Sequence, residues 1–336
     1  MATIQDVAQD AGVSPTTVSR YLNNRIELPP ATSARIDAAI KRLNYRPNLL
    51  AKRLSTGKSE AVGLVVPEIR EPFFAELASA VEDEAERHGY TIFMSSTRGD
   101  RAREIACLDR LHDRHVDGLV MMTNTPDDGT LAELISKRRC VVLIDEDIPG
   151  VDVPRVFVDN EPGAYRATRH LIDAGHRDIA YLHGPAGLFS VVERQAGFRR
   201  AMAEANLPVR PELVRGGSFS QDLARNAVLE MLDVPSPPTA IFASSDDLGV
   251  GALRALKQRP VAVPEAMSIL TFDDMPMTGL FDPPLTAIRQ PVEQLGRRGF
   301  QALLALMEGR EPPMLTRLPV ELIERQSVAA PRRGSL

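Results

Sequence analysis

Thr16, Ser19 and Arg20 are the residues of the first segment, 3–23, whose side chains can form specific hydrogen bonds on one face of a short helix. An arginine guanidinium can donate two parallel hydrogen bonds to one guanine, and small neighbouring side chains let a helix approach the base edges closely. These residue types at this spacing indicate a helix that can enter a major groove. The spacing alone also fits a helical hairpin in any small α-helical domain, and that alternative stays open here.

Two short helices joined by a turn are the elements that must position this face. Gly12 is free to adopt a positive φ, Ser14 follows as an N-cap, and Pro15 takes the first helical position, where a missing N–H costs nothing. Val18 and Leu22, four residues apart, are predicted to pack the second helix onto the first. The first helix carries one apolar stripe at i, i+3, i+4 and i+7, formed by Ile4, Val7, Ala8 and Ala11.

A third helix is predicted from the same apolar spacing, at Ile36, Ala39, Ile40 and Leu43. We expect it to end near Tyr45, because the residue before Pro47 avoids the α region. The segment 48–54 begins with Asn48 as a candidate cap, but about two turns of isolated helix are unstable in water. This segment is therefore predicted to fold only against a partner, and 55–59 to be a linker.

The formal net charge of −5 conceals an asymmetry along the chain. Residues 1–58 contain nine Lys and Arg against four Asp and Glu, whereas the remaining residues contain 31 against 41. Segregation of this kind indicates that the amino-terminal part alone meets a polyanion. An ordinary solvated charged surface explains the total charge better than it explains the segregation.

Several function classes are disfavoured by what the 336-residue sequence contains. No apolar run approaches the ~20 residues of a membrane span, and no signal peptide follows Met1, so we expect a cytoplasmic protein. Two cysteines are too few for a disulfide framework, and the pair His112 and His115 has no further metal ligand nearby. The segment 56–59 imitates a phosphate-binding loop, but Lys52 stands where its first glycine belongs. We therefore expect no enzyme activity, catalytic residue, cofactor or metal.

From Ala61 onward, short apolar runs alternate with amphipathic helices, as is typical of parallel sheets buried on both faces. Strands are predicted at 62–66, 91–95, 118–122, 141–144, 156–158, 179–183, 213–215, 240–243 and 268–272. The alternation restarts after the fifth of these, which indicates two similar lobes with a cleft between them. Ligands bind beyond the carboxyl ends of the strands in such sheets. A helix at 292–308 and a strand at 322–325 are predicted to close the chain.

Motifs along nearly the whole chain resemble the bacterial lactose/galactose-repressor (LacI/GalR) family: TIQDVAQDAGVSPTTVSRYLN, LNYRPNLLAKRL, PFFAEL, LIDAGHRDIAYLHGP, ERQAGF, FDPPLTAIRQP and PVELIERQSVA. The resemblance implies a small all-α helix-turn-helix head and an α/β, two-lobed, periplasmic-binding-protein-like core with parallel sheets. It also implies a homodimer or tetramer that binds near-palindromic operator DNA, is not a membrane protein, and holds a small effector between its lobes.

This resemblance also implies the expected domain boundaries. The DNA-binding head is expected at 1–46, the hinge helix and linker at 47–59, the effector-binding and dimerisation domain at 60–330, and a tail at 331–336. Within the large domain, the first lobe is expected to combine 60–159 with 292–320, and the second lobe 160–291 with 321–330.

The family's DNA contacts carry over by motif position. In VSPTTVSR the base-reading positions fall on Pro15, Thr16 and Arg20, with Thr17 and Ser19 nearer the backbone; because Pro15 has no side-chain donor, direct reading would rest on the other two. In PNLLAKRL the minor-groove wedge falls on Leu54, for which simple helix packing is the alternative. Phosphate contacts, which do not read sequence, are implied for Arg46, Lys52 and Arg53. The other residues implied to contact DNA are Thr3, Ser14, Asn23 and Asn48.

The effector site implied by the family also carries over by motif. It comprises Phe73, Phe74, Asp145, Ser190, Arg194, Phe219, Ser245 and Asp273. An Arg and an Asp across a cleft can grip several hydroxyls, although a structural salt bridge is the alternative, and one of the two adjacent phenylalanines would be a core residue. The family's Asn-Asp pair is here Ser245-Asp246, so the identity of the effector cannot be inferred from that of a relative. A sugar or sugar derivative is expected, with a purine or another metabolite acting as corepressor as the alternative.

Two other classes remain as rivals: a two-lobed solute-binding or sensor protein without a role at DNA, and an α/β enzyme with an active site in the cleft. The first has no use for a basic head, and the second lacks recognisable motifs. If the chain is a regulator, we expect the effector to change the angle between the lobes and the spacing of the two hinge segments 48–54 in a dimer. Each hinge helix would then form only when paired on DNA.

Overall fold

The structure, a computed structural model, describes residues 2–22, 26–45, 58–113 and 115–331. It divides into two units, Met1–Ser59 and Glu60–Leu336. No helix among these described residues is both long and apolar enough to cross a membrane.

Within its described residues, the first unit contains three helices: α1 Ile4–Ala11, α2 Pro15–Leu22 and α3 Pro30–Leu43. Thr3 and Asp6 form a capping box at the start of α1, in which the Asp6 carboxylate accepts a hydrogen bond of 2.7 Å from the Thr3 backbone N–H. Gly12 ends α1 in the left-handed conformation at φ 64°, as its missing Cβ predicts. The Ser14 hydroxyl accepts from the backbone N–H of Thr17 at 3.1 Å, so the predicted cap of α2 is confirmed.

The core of this unit confirms the predicted apolar stripes. Its fully buried members are Val7, Ala8, Ala11, Val18, Ile36 and Ala39, and its partly buried ones include Ile4, Leu22, Ile40 and Leu43. The helix α3 ends close to the predicted position but for a different reason: Asn44 caps it at φ 47°, with its N–H bonded to the carbonyls of Ile40 and Lys41. An asparagine in the left-handed conformation is a common helix C-terminus, and the proline at 47 is not needed to explain it.

The second unit follows the predicted alternation of strands and helices. In chain order its elements are β1 Ala61–Val66, α4 Pro72–Arg87, β2 Thr91–Ser96, α5 Arg101–His112, β3 Gly118–Met121, α6 Thr130–Ser136, β4 Val141–Ile144, β5 Arg155–Val158, α7 Asn160–Asp173, β6 Ile179–His183, α8 Phe189–Glu204, β7 Val214–Gly216, α9 Gln221–Leu232, β8 Ala240–Ala243, α10 Asp246–Gln258, β9 Ser268–Asp273, β10 Thr286–Arg289, α11 Val292–Met307, β11 Leu315–Leu318 and β12 Glu321–Ile323. Short 3₁₀ turns precede β7 and follow β9, at Pro211–Leu213 and Pro276–Leu280.

Two six-stranded sheets organise this unit into two lobes. The first lobe has the strand order β11-β5-β4-β3-β1-β2, and every pair in it is parallel. The second has the order β12-β10-β9-β8-β6-β7, and β12 alone of these strands runs antiparallel to its neighbour. The predicted fold class, an all-α head and a two-lobed α/β core with parallel sheets, is therefore confirmed.

The described chain passes between the two lobes at three places, between β5 and α7, between β10 and α11, and between β11 and β12. Because α11 returns to pack on α4 and the strands of the first lobe, each lobe is built from separate segments. The first helical turns of α8, in the second lobe, also contact the first: Glu193 pairs with Arg317 of β11 through two hydrogen bonds of 2.6 and 2.9 Å. A carboxylate and a guanidinium in this bidentate geometry fix orientation as well as distance.

Two strands, β10 and β11, were not predicted, because four-residue segments such as TAIR and LTRL lack a period long enough to recognise. The strand β2 was predicted, but as an edge strand it is not buried on both faces, and Phe93 and Met94 remain 53% and 42% exposed.

Close helix packing in the second lobe depends on Gly197 of α8. A Cβ at this position would lie 2.3 Å from the backbone oxygen of Glu161 and 2.7 Å from the backbone nitrogen of Tyr165, both in α7. Since backbone atoms cannot move aside easily, glycine is required for this approach. The packing places the first turns of α8, with Ser190 and Arg194, at the edge of the cleft.

Candidate functional site

A cavity opens between the lobes at the carboxyl ends of the strands, as the fold class predicts. It contains about 750 Å³ of atom-free space when its open mouth is included. All eight residues predicted for the effector site line it: Phe73, Phe74, Asp145, Ser190, Arg194, Phe219, Ser245 and Asp273. The structure thus brings the predicted residues together, and their role in binding remains a prediction.

The two adjacent phenylalanines form one aromatic wall of the cavity. Phe73 and Phe74 lie at the start of α4 with their ring centroids 5.3 Å apart at an interplanar angle of 78°, an edge-to-face contact. Each is 8% exposed and belongs to the main apolar core. The expected division into one core ring and one ligand-facing ring is therefore not observed, because both rings belong to the core and both line the cavity. Phe219, between β7 and α9, adds a third ring from the second lobe.

Arg194 is the cation of the site, and its side chain is held by the second lobe itself. Its Nε donates to the Oδ1 of Asn160 at 2.8 Å, and its Nη1 donates to the Ser244 carbonyl at 2.7 Å. The guanidinium carbon lies 3.8 Å from the centroid of the Phe272 ring. With 4% of the residue exposed, Arg194 presents a fixed positive charge rather than a mobile one.

Asp273 lies beside this charge at the end of β9. Its carboxylate is 3.6 Å from the Nη1 of Arg194 and accepts a 2.7 Å hydrogen bond from the side-chain amide of Gln290. Burial raises the pKa of Asp273 to about 6, and the Arg194 guanidinium opposes that rise. The residue has a φ of 111°, which is unfavourable for any side chain with a Cβ and persists only where the surroundings enforce it. The salt-bridge alternative and the ligand-binding role are thus compatible, because Arg194 and Asp273 can form an ion pair and still contact a ligand.

Ser190 does not offer a free hydroxyl to the cavity. Its hydroxyl donates to the carboxylate of Glu146, which follows β4 in the first lobe, and its backbone N–H donates to the same carboxylate at 3.1 Å. The N-cap residue of that helix, Leu188, makes no side-chain hydrogen bond to its first turn. Glu146 therefore caps a helix of the opposite lobe.

Ser245 and Asp145 complete the predicted set in different ways. The Ser245 hydroxyl accepts from the backbone N–H of Leu248 at 3.3 Å and so caps α10. Asp145 adopts a left-handed conformation at φ 67°, and its Oδ1 is buried without a hydrogen-bond partner among the described residues. Burial raises the pKa of Asp145, and Arg194 opposes the rise. An acceptor left in this state requires a donor from elsewhere.

Further residues that line the cavity were not predicted: Glu71, Pro72, Thr123, Asn124, Glu146, Asp246, Asp247, Val250, Met275, Met277 and Gln290. Glu146 directly follows Asp145, and the acid pair Asp246-Asp247 was noted as a candidate for helix capping or ligand binding, so these three had a local signal. Asn124 and Gln290 had none. Asp274, the neighbour of Asp273, has a structural role, since Arg325 contacts it at 2.6 Å.

The head offers a second candidate surface on α2. Pro15, Thr16 and Arg20 are exposed there, as a base-reading face requires. The hydroxyls of Ser14 and Thr17 lie 2.8 Å apart, and the Thr3 side chain belongs to the capping box, so these three side chains already have partners within the head. Ser19 is half-buried on the same helix. The remaining predicted DNA-contacting residues lie outside the described residues: Asn23, Arg46, Asn48, Lys52, Arg53 and Leu54.

The acid that joins the two lobes should make the stability of the second unit depend on pH. Burial and the neighbouring Asp145 carboxyl raise the pKa of Glu146 to about 8, from an ordinary value of 4.5. Between these two values the folded protein binds a proton that the unfolded chain does not, so the free energy of unfolding falls as the pH rises through this window. We expect the melting temperature to fall from pH 5.5 to pH 8.5, and Glu146→Gln to reduce the steepness of that fall.

Thermal unfolding followed by circular dichroism across this pH range measures the slope, which is informative whatever the variant does to absolute stability. Glu82→Gln, which removes an exposed carboxylate from α4, is the matched control and should leave the slope unchanged. A slope that Glu146→Gln leaves as steep as in the parent chain would contradict the assignment.

Comparison with known proteins covers both units. Residues 3–48 match the family model described as bacterial regulatory proteins, lacI family, and residues 59–326 match periplasmic binding proteins and sugar binding domain of LacI family. The chain is 34% identical to the HTH-type transcriptional repressor PurR of Aliivibrio salmonicida over 332 residues, which is 98% of this chain and 99% of that one.

Two solved structures extend the similarity to three dimensions. The transcriptional regulator CelR–cellobiose complex shares 31% identity, with 97% of this chain and 100% of that chain covered and a TM-score of 0.74. The lac repressor dimer bound to operator and the anti-inducer ONPF shares 27% identity, with 98% and 99% covered and a TM-score of 0.87. Because these relatives are transcriptional regulators, the expectation that the chain is not an enzyme is confirmed. The chain belongs to the LacI family of DNA-binding transcriptional repressors.

Proposed function

We propose that this LacI-family repressor binds a near-palindromic operator as a homodimer in the bacterial cytoplasm, and that a sugar or sugar derivative in the cleft between its lobes sets its operator affinity. The observation that carries the effector site is the placement of Arg194 beside Asp273, 3.6 Å apart, in a cavity that also has aromatic walls. A fixed donor next to a fixed acceptor can hold two neighbouring hydroxyls, while an aromatic ring packs on the C–H face of a sugar.

The polar groups of the cavity narrow the effector class. Its wall contains more hydrogen-bond acceptors than donors, and two of these acceptors, the Oδ1 of Asp246 and the Oε1 of Gln290, form no regular hydrogen bond in the described part of the chain. An effector that donates hydrogen bonds would satisfy them. Because Arg194 is the one guanidinium along the wall and already has partners of its own, phosphorylated and acidic effectors would find little positive charge to bind there.

A sugar effector is supported by two comparisons. The family description for residues 59–326 includes the sugar binding domain of LacI family, and the structurally similar CelR was solved with cellobiose. A purine base is the second candidate, because curated relatives at 34% identity are called PurR. The rings of Phe73, Phe74 and Phe219 would suit a planar purine as well as a sugar.

For the DNA contacts, we propose that Thr16 and Arg20 read bases in the major groove, supported by their exposure on α2. Lys52 and Arg53 would bind phosphates, and Leu54 would enter the minor groove as a wedge. The DNA-binding head would comprise residues 1–46. The hinge, residues 47–59, would become helical only when the protein binds the operator. The effector would act by changing the spacing of the two hinges in the dimer.

A second copy of the chain is the proposed partner of the apolar surface on the second unit. Phe93 and Met94 lie on the open edge strand β2, and Leu280 is 85% exposed after β9. Exposed apolar side chains of this size are typical of an interface with another protein. The lac repressor structure, described as a dimer on its operator, supports a second copy in this role.

Arg20→Ala should weaken binding to the preferred operator by roughly 1–3 kcal/mol and relax the preference at one base pair of each half-site, because a bidentate contact to a base is lost. Lys52→Ala should weaken binding to all duplexes alike and reduce the dependence of affinity on salt, because a phosphate contact is lost. Selection of binding sites from random duplexes, followed by titrations at several salt concentrations, measures both effects.

The control for these two variants is Lys257→Ala, which removes an exposed cation from α10 and should change neither quantity. If Arg20→Ala and Lys52→Ala gave the same sequence preference as the parent protein, our division of the contacts into base-reading and positioning groups would be wrong.

A thermal-shift screen of the full-length chain should identify the effector class. We expect unphosphorylated sugars to raise the melting temperature of the second unit, because a ligand that binds only the folded state stabilises it. Sugar phosphates and sugar acids should have no effect. A positive compound must also change the affinity for the selected operator. Stabilisation by purine bases alone would favour the second candidate, and stabilisation by sugar phosphates would contradict our interpretation of the cavity's charge.

A further inference from the structure

We propose that the effector carries a cationic nitrogen, as in an amino sugar, and that carboxyl groups from both lobes bind it. This inference rests on the proposed function, since it specifies which kind of sugar derivative occupies the cleft. Its basis is the excess of carboxyl groups on the cavity wall, together with the hydrogen-bond acceptors there that have no donor in the described structure.

Charge is unevenly distributed on the cavity wall. Of its lining residues, Arg194 alone carries a positive charge, against six carboxyl groups: those of Glu71, Asp145, Glu146, Asp246, Asp247 and Asp273. The guanidinium of Arg194 lies nearest to Asp273 and is held by the second lobe's own acceptors. Within the described ranges, none of the other five carboxyls lies within 4.0 Å of a cationic nitrogen. The wall therefore presents five carboxyl groups that have no cationic partner among the described residues.

Some of these acids already accept hydrogen bonds from uncharged donors, whereas others have no donor and are the ones that a ligand could bind. Glu146 accepts from Ser190, and Asp247 accepts a 2.8 Å hydrogen bond from the Gln221 amide. By contrast, no donor within 58–113 or 115–331 bonds to the carboxyl of Glu71. The buried Oδ1 of Asp145 likewise has no partner in these ranges.

Independent evidence for a missing ligand comes from two buried residues on the wall. Gln290 is 4% exposed and uses its amide N–H to bond Asp273, but its Oε1 accepts no hydrogen bond in the described structure. Asp246 is 8% exposed; its Oδ2 accepts from the backbone N–H of Met275 at 2.7 Å, while its Oδ1 forms no regular hydrogen bond there and has only the Thr271 hydroxyl beside it. Buried acceptors are seldom left without a donor unless another molecule supplies one. Both residues therefore point to a ligand that donates hydrogen bonds in this cavity.

Carboxyl groups of the two lobes face one another across the cleft. Glu71 stands at the start of α4 in the first lobe, and Asp247 and Asp273 belong to the second. Burial, followed by these two carboxyls, raises the pKa of Glu71 to about 8. An ammonium group between the lobes would favour the ionised form of these carboxyls and attract them, so that binding would draw the lobes together.

An ammonium group suits these acceptors better than a metal ion would. Three N–H donors can reach separate carboxyl oxygens without a strict coordination geometry. In the described residues no set of three or more His, Cys, Asp or Glu is arranged to hold a metal ion. The hydroxyls of the same ligand would remain available for Arg194 and Asp273.

The experiment compares matched ligands on the full-length chain by calorimetric titration. Each of glucosamine, galactosamine and mannosamine is compared with its parent hexose and with its N-acetyl derivative, which keeps a substituent on the nitrogen but removes the charge. Putrescine and spermidine supply ammonium groups without a sugar ring. We expect one amino sugar to bind more tightly than both of its uncharged counterparts by about tenfold or more, the scale of one charge-assisted hydrogen bond.

Two variants connect the effect to the carboxyls. Glu71→Gln should reduce the affinity for the amino sugar by about tenfold, because a single charge-assisted contact is lost. It should leave the affinity for uncharged ligands unchanged. Glu76→Gln, which removes an exposed carboxylate one turn further along the same helix α4, should change neither. Melting temperatures of both variants report whether they fold as the parent chain does.

The outcomes separate this inference from the proposed function. Tightest binding by a neutral or N-acetylated sugar, or an equal loss for charged and uncharged ligands in Glu71→Gln, would overturn the inference and leave the sugar effector standing. Binding of the polyamines alone would support the cationic nitrogen and overturn the sugar. A panel in which no amine binds overturns the inference, and operator binding then still tests the regulator separately.

Discussion

One buried guanidinium sets the geometry of the cleft. Arg194 is fixed by Asn160, the Ser244 carbonyl and the face of Phe272, and it lies 3.6 Å from Asp273. A charge that is buried to this extent is tolerated only with such partners. Because the partners come from α7, from the residue that follows β8 and from β9, the position of the cation depends on the packing of the whole second lobe, including the close contact at Gly197.

The same helix that carries Arg194 joins the two lobes. Ser190 and Glu193 of α8 contact Glu146 and Arg317 of the first lobe, so the first turns of this helix touch the cavity and the opposite lobe at once. A ligand that changes the environment of Arg194 therefore acts on an element that also fixes the angle between the lobes. This arrangement provides a physical route from effector binding to lobe movement, because both act on one rigid helix.

Much of the fold could be predicted from the sequence, because periodic apolar residues identify the helices of the head and the buried strands of the core. The short strand TAIR and the edge position of β2 could not, since pairing with distant segments decides them. In the site, Arg194 and Asp273 were found through family motifs. The engagement of the Ser190 hydroxyl was not foreseen, because its partner Glu146 lies 44 residues away in the other lobe. Gln290 gave no local signal at all.

Our proposal is that effector binding reaches the DNA-binding head through Asp273 and Arg194. Its most direct test is the operator affinity of Asp273→Asn, titrated with and without the identified effector, with the exposed Asp222→Asn as the matched control. The account predicts that Asp273→Asn binds the operator as the parent protein does, but that the effector no longer changes the affinity. A variant that keeps the full effector response would contradict the account.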